Sequence, residues 1–262
     1  MTDHASLVHH LDRSLVIKAR RDTVFRFFTD PMRWAAWWGD GSTIEPRPQG
    51  LMRIRYPDGT EAVGEVVEVT PPERLVFTYG YAKGTPVPPG GSLVTIILEE
   101  HRDGTELRLT HAFAETSVRD QHLQGWRYQL SLFANVVTNE VHGDAADVID
   151  RWFAAWSEPD DSVREAAVGR IASSDVRMRD RFSAIAGLDD LLAQLAAVRR
   201  FMPGIQLRRQ GDVRQCQGLA LADWVMVTSA GEQRGGGTNV FELAADGRIV
   251  SVTGFWAAPS AR

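Results

Sequence analysis

Four polar residues on otherwise apolar strand faces mark where this chain could do chemistry. In Val176-Arg177-Met178-Arg179-Asp180-Arg181-Phe182, counting by twos points Asp180 to the same side as Val176, Met178 and Phe182. An isolated carboxylate there loses hydration and becomes a stronger base, as abstraction of a carbon-bound proton requires; the alternative is an aspartate paired with Arg179, Arg181 or a histidine at a sheet edge. Asn239 shares a face with Phe241 and Leu243, and its amide can donate to a developing oxyanion. Asp223 shares a face with Leu219, Leu221 and Val225. It is either the second carboxylate of an acid–base pair with Asp180 or a surface or interface residue. His111 is the one titratable side chain on the face formed by Leu107, Leu109 and Phe113, a proton donor or acceptor if it meets a ligand and otherwise a hydrogen-bonded core histidine.

Other chemistries find no footing. The seven histidines are scattered without ligand spacing, and the single cysteine, Cys216, rules out an internal disulfide and a cysteine-based zinc site. Cys216 reads as structural on burial habit. Gly235-Gly236-Gly237 lacks the lysine and helix of a phosphate loop. No metal, nucleotide or flavin cofactor is therefore expected. A formal charge of −5 without a basic stripe argues against nucleic acid as partner. The first ten residues hold no apolar signal core, and no apolar run reaches the roughly 18 residues of a membrane span, so a soluble, cytoplasmic chain is expected.

The elements that must hold these residues fall into two sets, and 262 residues suit two domains. In the first, a strand from Leu11 to Lys18 and a helix from Arg21 to Phe28 are followed by a helical turn through Trp34 and Trp37. Strands then run over Leu51 to Tyr56, Glu61 to Val69, Arg74 to Tyr81, Ser92 to Glu100 and on through Phe113. A helix from Ser117, its N-cap, to about Glu140 carries Leu123, Trp126, Leu130, Phe133 and Val137 on one stripe. The loop Lys83 to Gly91 is either a cavity gate or a plain hairpin connection. The second set opens with a helix bearing Trp152, Phe153 and Trp156. A helix from Ser162, a strand from Val176 to Phe182 and a helix from Leu188 to Arg200 follow. Three or four strands then close the chain up to Trp256.

The first set resembles the SRPBCC superfamily, in the branch named after activators of a heat-shock-protein ATPase. Phe28-Thr29-Asp30-Pro31, Trp37-Trp38, Gly64-Glu65-Val66-Val67-Glu68-Val69, Pro72-Glu73-Arg74-Leu75-Val76-Phe77 and Gly125-Trp126 carry that likeness. The resemblance implies a helix-grip (START/Bet v 1-like) domain over residues 1–143, with a hydrophobic cavity lined by Trp38, Tyr79, His111, Phe113 and Trp126. The second set resembles the nuclear transport factor 2-like superfamily, which includes SnoaL-like polyketide cyclases and ketosteroid isomerases. The likeness rests on Met178-Arg179-Asp180, Gly187-Leu188-Asp189-Asp190-Leu191-Leu192, Gly237-Thr238-Asn239-Val240-Phe241 and Gly247-Arg248-Ile249-Val250-Ser251-Val252. It implies an α+β cone (cystatin-like) domain over 144–262. Asp180 then falls at the isomerases' general base and Asn239 at an acidic oxyanion donor, while Trp152 replaces their tyrosine donor.

Trp152, Phe182, Trp224, Phe241 and Trp256 would wall that second pocket, with Trp224 and Trp256 alternatively at a homodimer interface. The combined expectation is an α+β, two-domain protein that binds a hydrophobic aromatic or polycyclic molecule and performs cofactor-free proton transfer on it, in the second half. Non-catalytic sequestration or resistance and a stress-related interaction module are the alternatives.

Overall fold

The computed structural model describes residues 6–257 and divides the chain into two compact units, Met1–Thr138 and Asn139–Arg262. Both are α+β. The first contains β1 (His9–Ile17), α1 (Arg21–Thr29), α2 (Pro31–Trp38), β2 (Thr43–Ile44), β3 (Leu51–Arg55), β4 (Glu61–Thr70), β5 (Arg74–Tyr81), β6 (Ser92–His101), β7 (Gly104–Phe113) and α3 (Thr116–Val141). Its seven strands form one antiparallel sheet ordered β1-β7-β6-β5-β4-β3-β2. The first strand opens at His9 rather than Leu11, and Ser117 lies inside α3 rather than capping it.

Local chemistry sets the helix that matters most for the cavity. Asp30 stands before Pro31, and its side chain accepts from the backbone N–H groups of Met32 at 2.9 Å and Arg33 at 3.0 Å. With proline at the first helical position, this starts α2 at once. The helix thereby presents Trp34, Trp37 and Trp38 inward. Trp37 donates its indole N–H to the Phe27 carbonyl at 3.1 Å, and its ring meets Phe28 and Phe133. Phe133 stacks on Phe28 with 4.6 Å between centroids, so the α3 stripe is clamped onto α1 and α2. The Lys83–Gly91 loop folds back on its own strand: Tyr81 N–H donates to the Val87 carbonyl and Val87 is buried. It is a pinned hairpin connection.

The second unit contains α4 (Ala145–Ala155), α5 (Asp161–Ile171), β8 (Ala172–Arg179), β9 (Ala184–Ala186), α6 (Leu188–Phe201), β10 (Gln206–Cys216), β11 (Leu219–Val227), β12 (Gln233–Leu243) and β13 (Ile249–Trp256). Six strands pair as β10-β11-β12-β13-β8-β9, with β13 and β8 parallel. Three helices and a closing meander agree with the cone read from sequence. Trp152, Phe153, Phe241, Leu191 and Val252 belong to one buried cluster. Cys216, at the end of β10, is exposed, contrary to the burial expected of it.

Candidate functional site

A cavity of about 380 Å³ lies in the first unit between α2, the end of β3, β5 and α3. Trp38, Tyr79 and Trp126 line it, as the sequence suggests; Tyr56, Tyr81 and His122 join them. No lysine, arginine, aspartate or glutamate contributes to its wall. Trp38 meets Trp126 and Tyr56 edge-on at 5.7 and 5.9 Å. Gln129 closes the inner side by donating to the Trp37 carbonyl.

His111 and Phe113 sit behind this wall rather than on it. His111 is fully buried: Trp126 Nε1–H donates to its Nδ1 at 2.9 Å, and its Nε2 lies 2.8 Å from Ser92 Oγ. Because the indole can only donate, Nδ1 must accept and Nε2 carries the hydrogen. The chain ends where Ser92 Oγ donates to the Tyr79 carbonyl at 2.8 Å. Burial, aided by His122 nearby, holds the His111 pKa well below the usual imidazole range. Both ring nitrogens are occupied, so His111 fixes Trp126 and the strands beneath it rather than shuttling protons.

His122 is placed differently. Its Nδ1 is 2.8 Å from the Val118 carbonyl, one turn back on α3, and must donate there. Nε2 therefore accepts, and Tyr81 OH reaches it at 3.3 Å. Burial lowers the His122 pKa, and it stays neutral. Tyr56 and Tyr79 hydroxyls lie 3.0 Å apart, and burial raises both phenol pKa values, so both remain protonated. The wall thus offers neutral hydrogen-bonding groups at one end and indole faces at the other. Such a chamber suits an uncharged aromatic molecule with one polar edge.

In the second unit the nominated residues assemble in part. Trp224 Nε1–H donates to Asn239 Oδ1 at 2.9 Å, and Trp224 meets Trp256 edge-on at 5.0 Å. Trp256 Nε1–H reaches Asp180 Oδ2 at 3.4 Å, while the other oxygen accepts from Phe182 N–H at 2.7 Å. A Cβ added at Gly254 would lie 3.0 Å from both Asn239 Oδ1 and Asp180 Cβ, so the two polar side chains converge over that glycine. Asp180 is nevertheless not the isolated carboxylate expected. It is half-buried with both oxygens engaged, and among the described residues it forms no ion pair.

Three further expectations are corrected. The strand ends at Arg179, because Asp180 turns the chain: its N–H donates to the Ser183 carbonyl and its carboxylate caps Phe182. Phe182 consequently leaves the strand face and is 66% exposed, though its ring still meets Trp256 at 5.0 Å. Asp223 pairs across the sheet with Thr238, whose hydroxyl donates to it, and lies 3.7 Å from Arg214. Asn239 pairs with Ala222 on the opposite face, so Asp223 cannot act with Asp180 in one pocket. Trp152 and Phe241 are buried, 6.1 Å apart between centroids, as packed core rather than open wall.

Residues 18–138 match the family model of the activator of Hsp90 ATPase homolog 1-like proteins. That match covers the three helices and nearly the whole sheet that enclose the cavity. No curated protein matches the chain. Among solved structures, a SnoaL-like family protein from Agrobacterium tumefaciens is 27% identical, with a TM-score of 0.42, over 45% of this chain and 99% of that chain. CalU16 from Micromonospora echinospora is 27% identical, with a TM-score of 0.40, over 50% of this chain and 76% of that one. The Aha1 dimer from Colwellia psychrerythraea is 17% identical, with a TM-score of 0.41, over 47% and 91%. Among the described residues, no helix is long and apolar enough to cross a membrane and no cluster of potential ligands could hold a metal ion.

Tyr56, Tyr81 and His122 of the cavity wall escaped the sequence reading. Tyr81 had a visible signal, since it continues the Leu75, Phe77, Tyr79 alternation by one step. His122 stands one helical turn before Trp126 and shares its face. Tyr56 lies just past the end of β3, where periodicity carries no information.

Proposed function

We propose that the first unit binds a neutral, aromatic small molecule in the cavity between its sheet and α3. The observation that carries this reading is the wall itself, which joins three tryptophans and four tyrosines and includes no lysine, arginine, aspartate or glutamate. A charged ligand entering it would lose hydration without an ion partner, whereas a flat apolar one gains contact along the indole faces. Proton transfer on the bound molecule has less support, because both ring nitrogens of His111 are hydrogen-bonded within the core and each oxygen of Asp180 already accepts a hydrogen bond.

Gly125 supplies the test. It sits inside α3 on the cavity wall, and a Cβ there would meet nothing within 4 Å. A helix-interior glycine costs about 1 kcal/mol relative to alanine, so packing within the protein does not account for it. Gly125→Leu is expected to leave the fold at least as stable and to weaken binding of the neutral fluorophore N-phenyl-1-naphthylamine by about tenfold or more, since its side chain occupies the ligand's space. Fluorescence titration of both proteins checks this. Equal affinity for the fluorophore, or no binding by the parent protein, would sink the reading.

A further inference from the structure

The hydroxyl hydrogens on the cavity wall can be placed one by one. Tyr79 is buried, and Tyr56 is the hydroxyl within hydrogen-bonding distance of it, at 3.0 Å. A buried phenol must place its hydrogen, so Tyr79 donates and Tyr56 accepts. Tyr81 gives its hydrogen to His122 Nε2, because His122 Nδ1–H is committed to the Val118 carbonyl. What remains is the hydrogen of Tyr56, which is only partly buried and lines the cavity. The indole N–H of Trp38 also lacks a partner, but its nitrogen is sealed from solvent. Tyr128, the fourth tyrosine of the wall, is 69% exposed and open to solvent, so Tyr56 is the half-buried hydroxyl donor whose acceptor must come from outside the protein.

Resting on the binding reading above, we infer that the ligand is a planar aromatic ketone whose carbonyl oxygen accepts from Tyr56 O–H while its rings lie against Trp38 and Trp126. A carbonyl oxygen lies in the plane of a conjugated ring system, so one molecule can use the apolar slot and the Tyr56 hydroxyl together. A carboxylate or sulfonate would also accept that hydrogen, but its charge would be stranded among uncharged walls.

The matched pair 9-fluorenone and fluorene, identical but for a carbonyl in place of a methylene, tests the assignment. Calorimetric titration of the full chain is expected to give about tenfold tighter binding of 9-fluorenone. In Tyr56→Phe that preference should shrink to within about twofold while fluorene still binds, and the melting temperature should fall, because Tyr79 loses the acceptor of its hydroxyl hydrogen. Equal binding of the two compounds by the parent protein, or a preference that survives Tyr56→Phe, overturns the inference while leaving aromatic binding intact. Failure of both compounds and of N-phenyl-1-naphthylamine to bind overturns the broader reading as well.

Discussion

Replacing Gly64 by alanine is expected to destabilise the first unit by on the order of 3 kcal/mol or more, a large part of a typical domain's stability. An added Cβ would lie 1.7 Å from the Thr78 carbonyl oxygen and 2.6 Å from its carbon, both backbone atoms of the neighbouring strand. Side chains can swing away from such an intrusion, but a strand carbonyl cannot without moving the ladder. The ladder has little slack here. Glu65 N–H is already satisfied by Thr78 Oγ1 at 2.9 Å rather than by a backbone partner. Gly64 belongs to the Gly64-Glu65-Val66-Val67-Glu68-Val69 stretch, whose physical content is this close approach of β4 to β5, the strand that carries Tyr79 and Tyr81. Urea unfolding followed by tryptophan fluorescence measures the loss. A midpoint unchanged from the parent protein would show that the sheet absorbs the methyl without strain.

His111→Leu is expected to cost about 2–4 kcal/mol, because it leaves the buried Trp126 N–H without an acceptor and removes the ring packed 3.9 Å from Phe113. It should also change how stability depends on pH. Burial lowers the folded-state pKa of His111 and of His122 below the ordinary value of 6.5. Between the folded and unfolded values the unfolded chain binds more protons, so stability falls as pH drops below about 6.5 and recovers as pH rises through it. Tyr79, Tyr81, Phe113 and Trp126 surround His111 and His122, and none of them carries charge in that range. Removing one of the two imidazoles should flatten the acid limb. A variant as stable as its parent, with the same acid slope, would mean that His111 is not the buried neutral link described here.

The fold was legible where one period governed one face. The Leu107, Leu109, His111, Phe113 alternation is buried as counted, and so is the Leu123, Trp126, Leu130, Phe133, Val137 stripe except for Leu123, which is half-buried. Legibility failed where both faces of a strand are apolar. In β11, Leu219, Leu221 and Val225 alternate with Ala220, Ala222, Trp224 and Met226, and counting cannot say which set faces the core. The structure buries the second set and leaves Asp223 on the other face. At Asp180, period-two counting ran past the true strand end, because a side-chain cap on Phe182 turned the chain there. The cavity wall was half legible, since it is assembled from β5, α2, α3 and the residue after β3, and only tertiary packing brings them together.

The central claim is that the first unit's cavity holds the ligand. Eight tryptophans make the indole N–H resonances a map of both units. On addition of 9-fluorenone, the signals of Trp38 and Trp126 should shift while those of Trp152, Trp224 and Trp256 stay in place. Shifts confined to Trp224 and Trp256, with Trp38 and Trp126 unmoved, would contradict the account and return the site to the second unit.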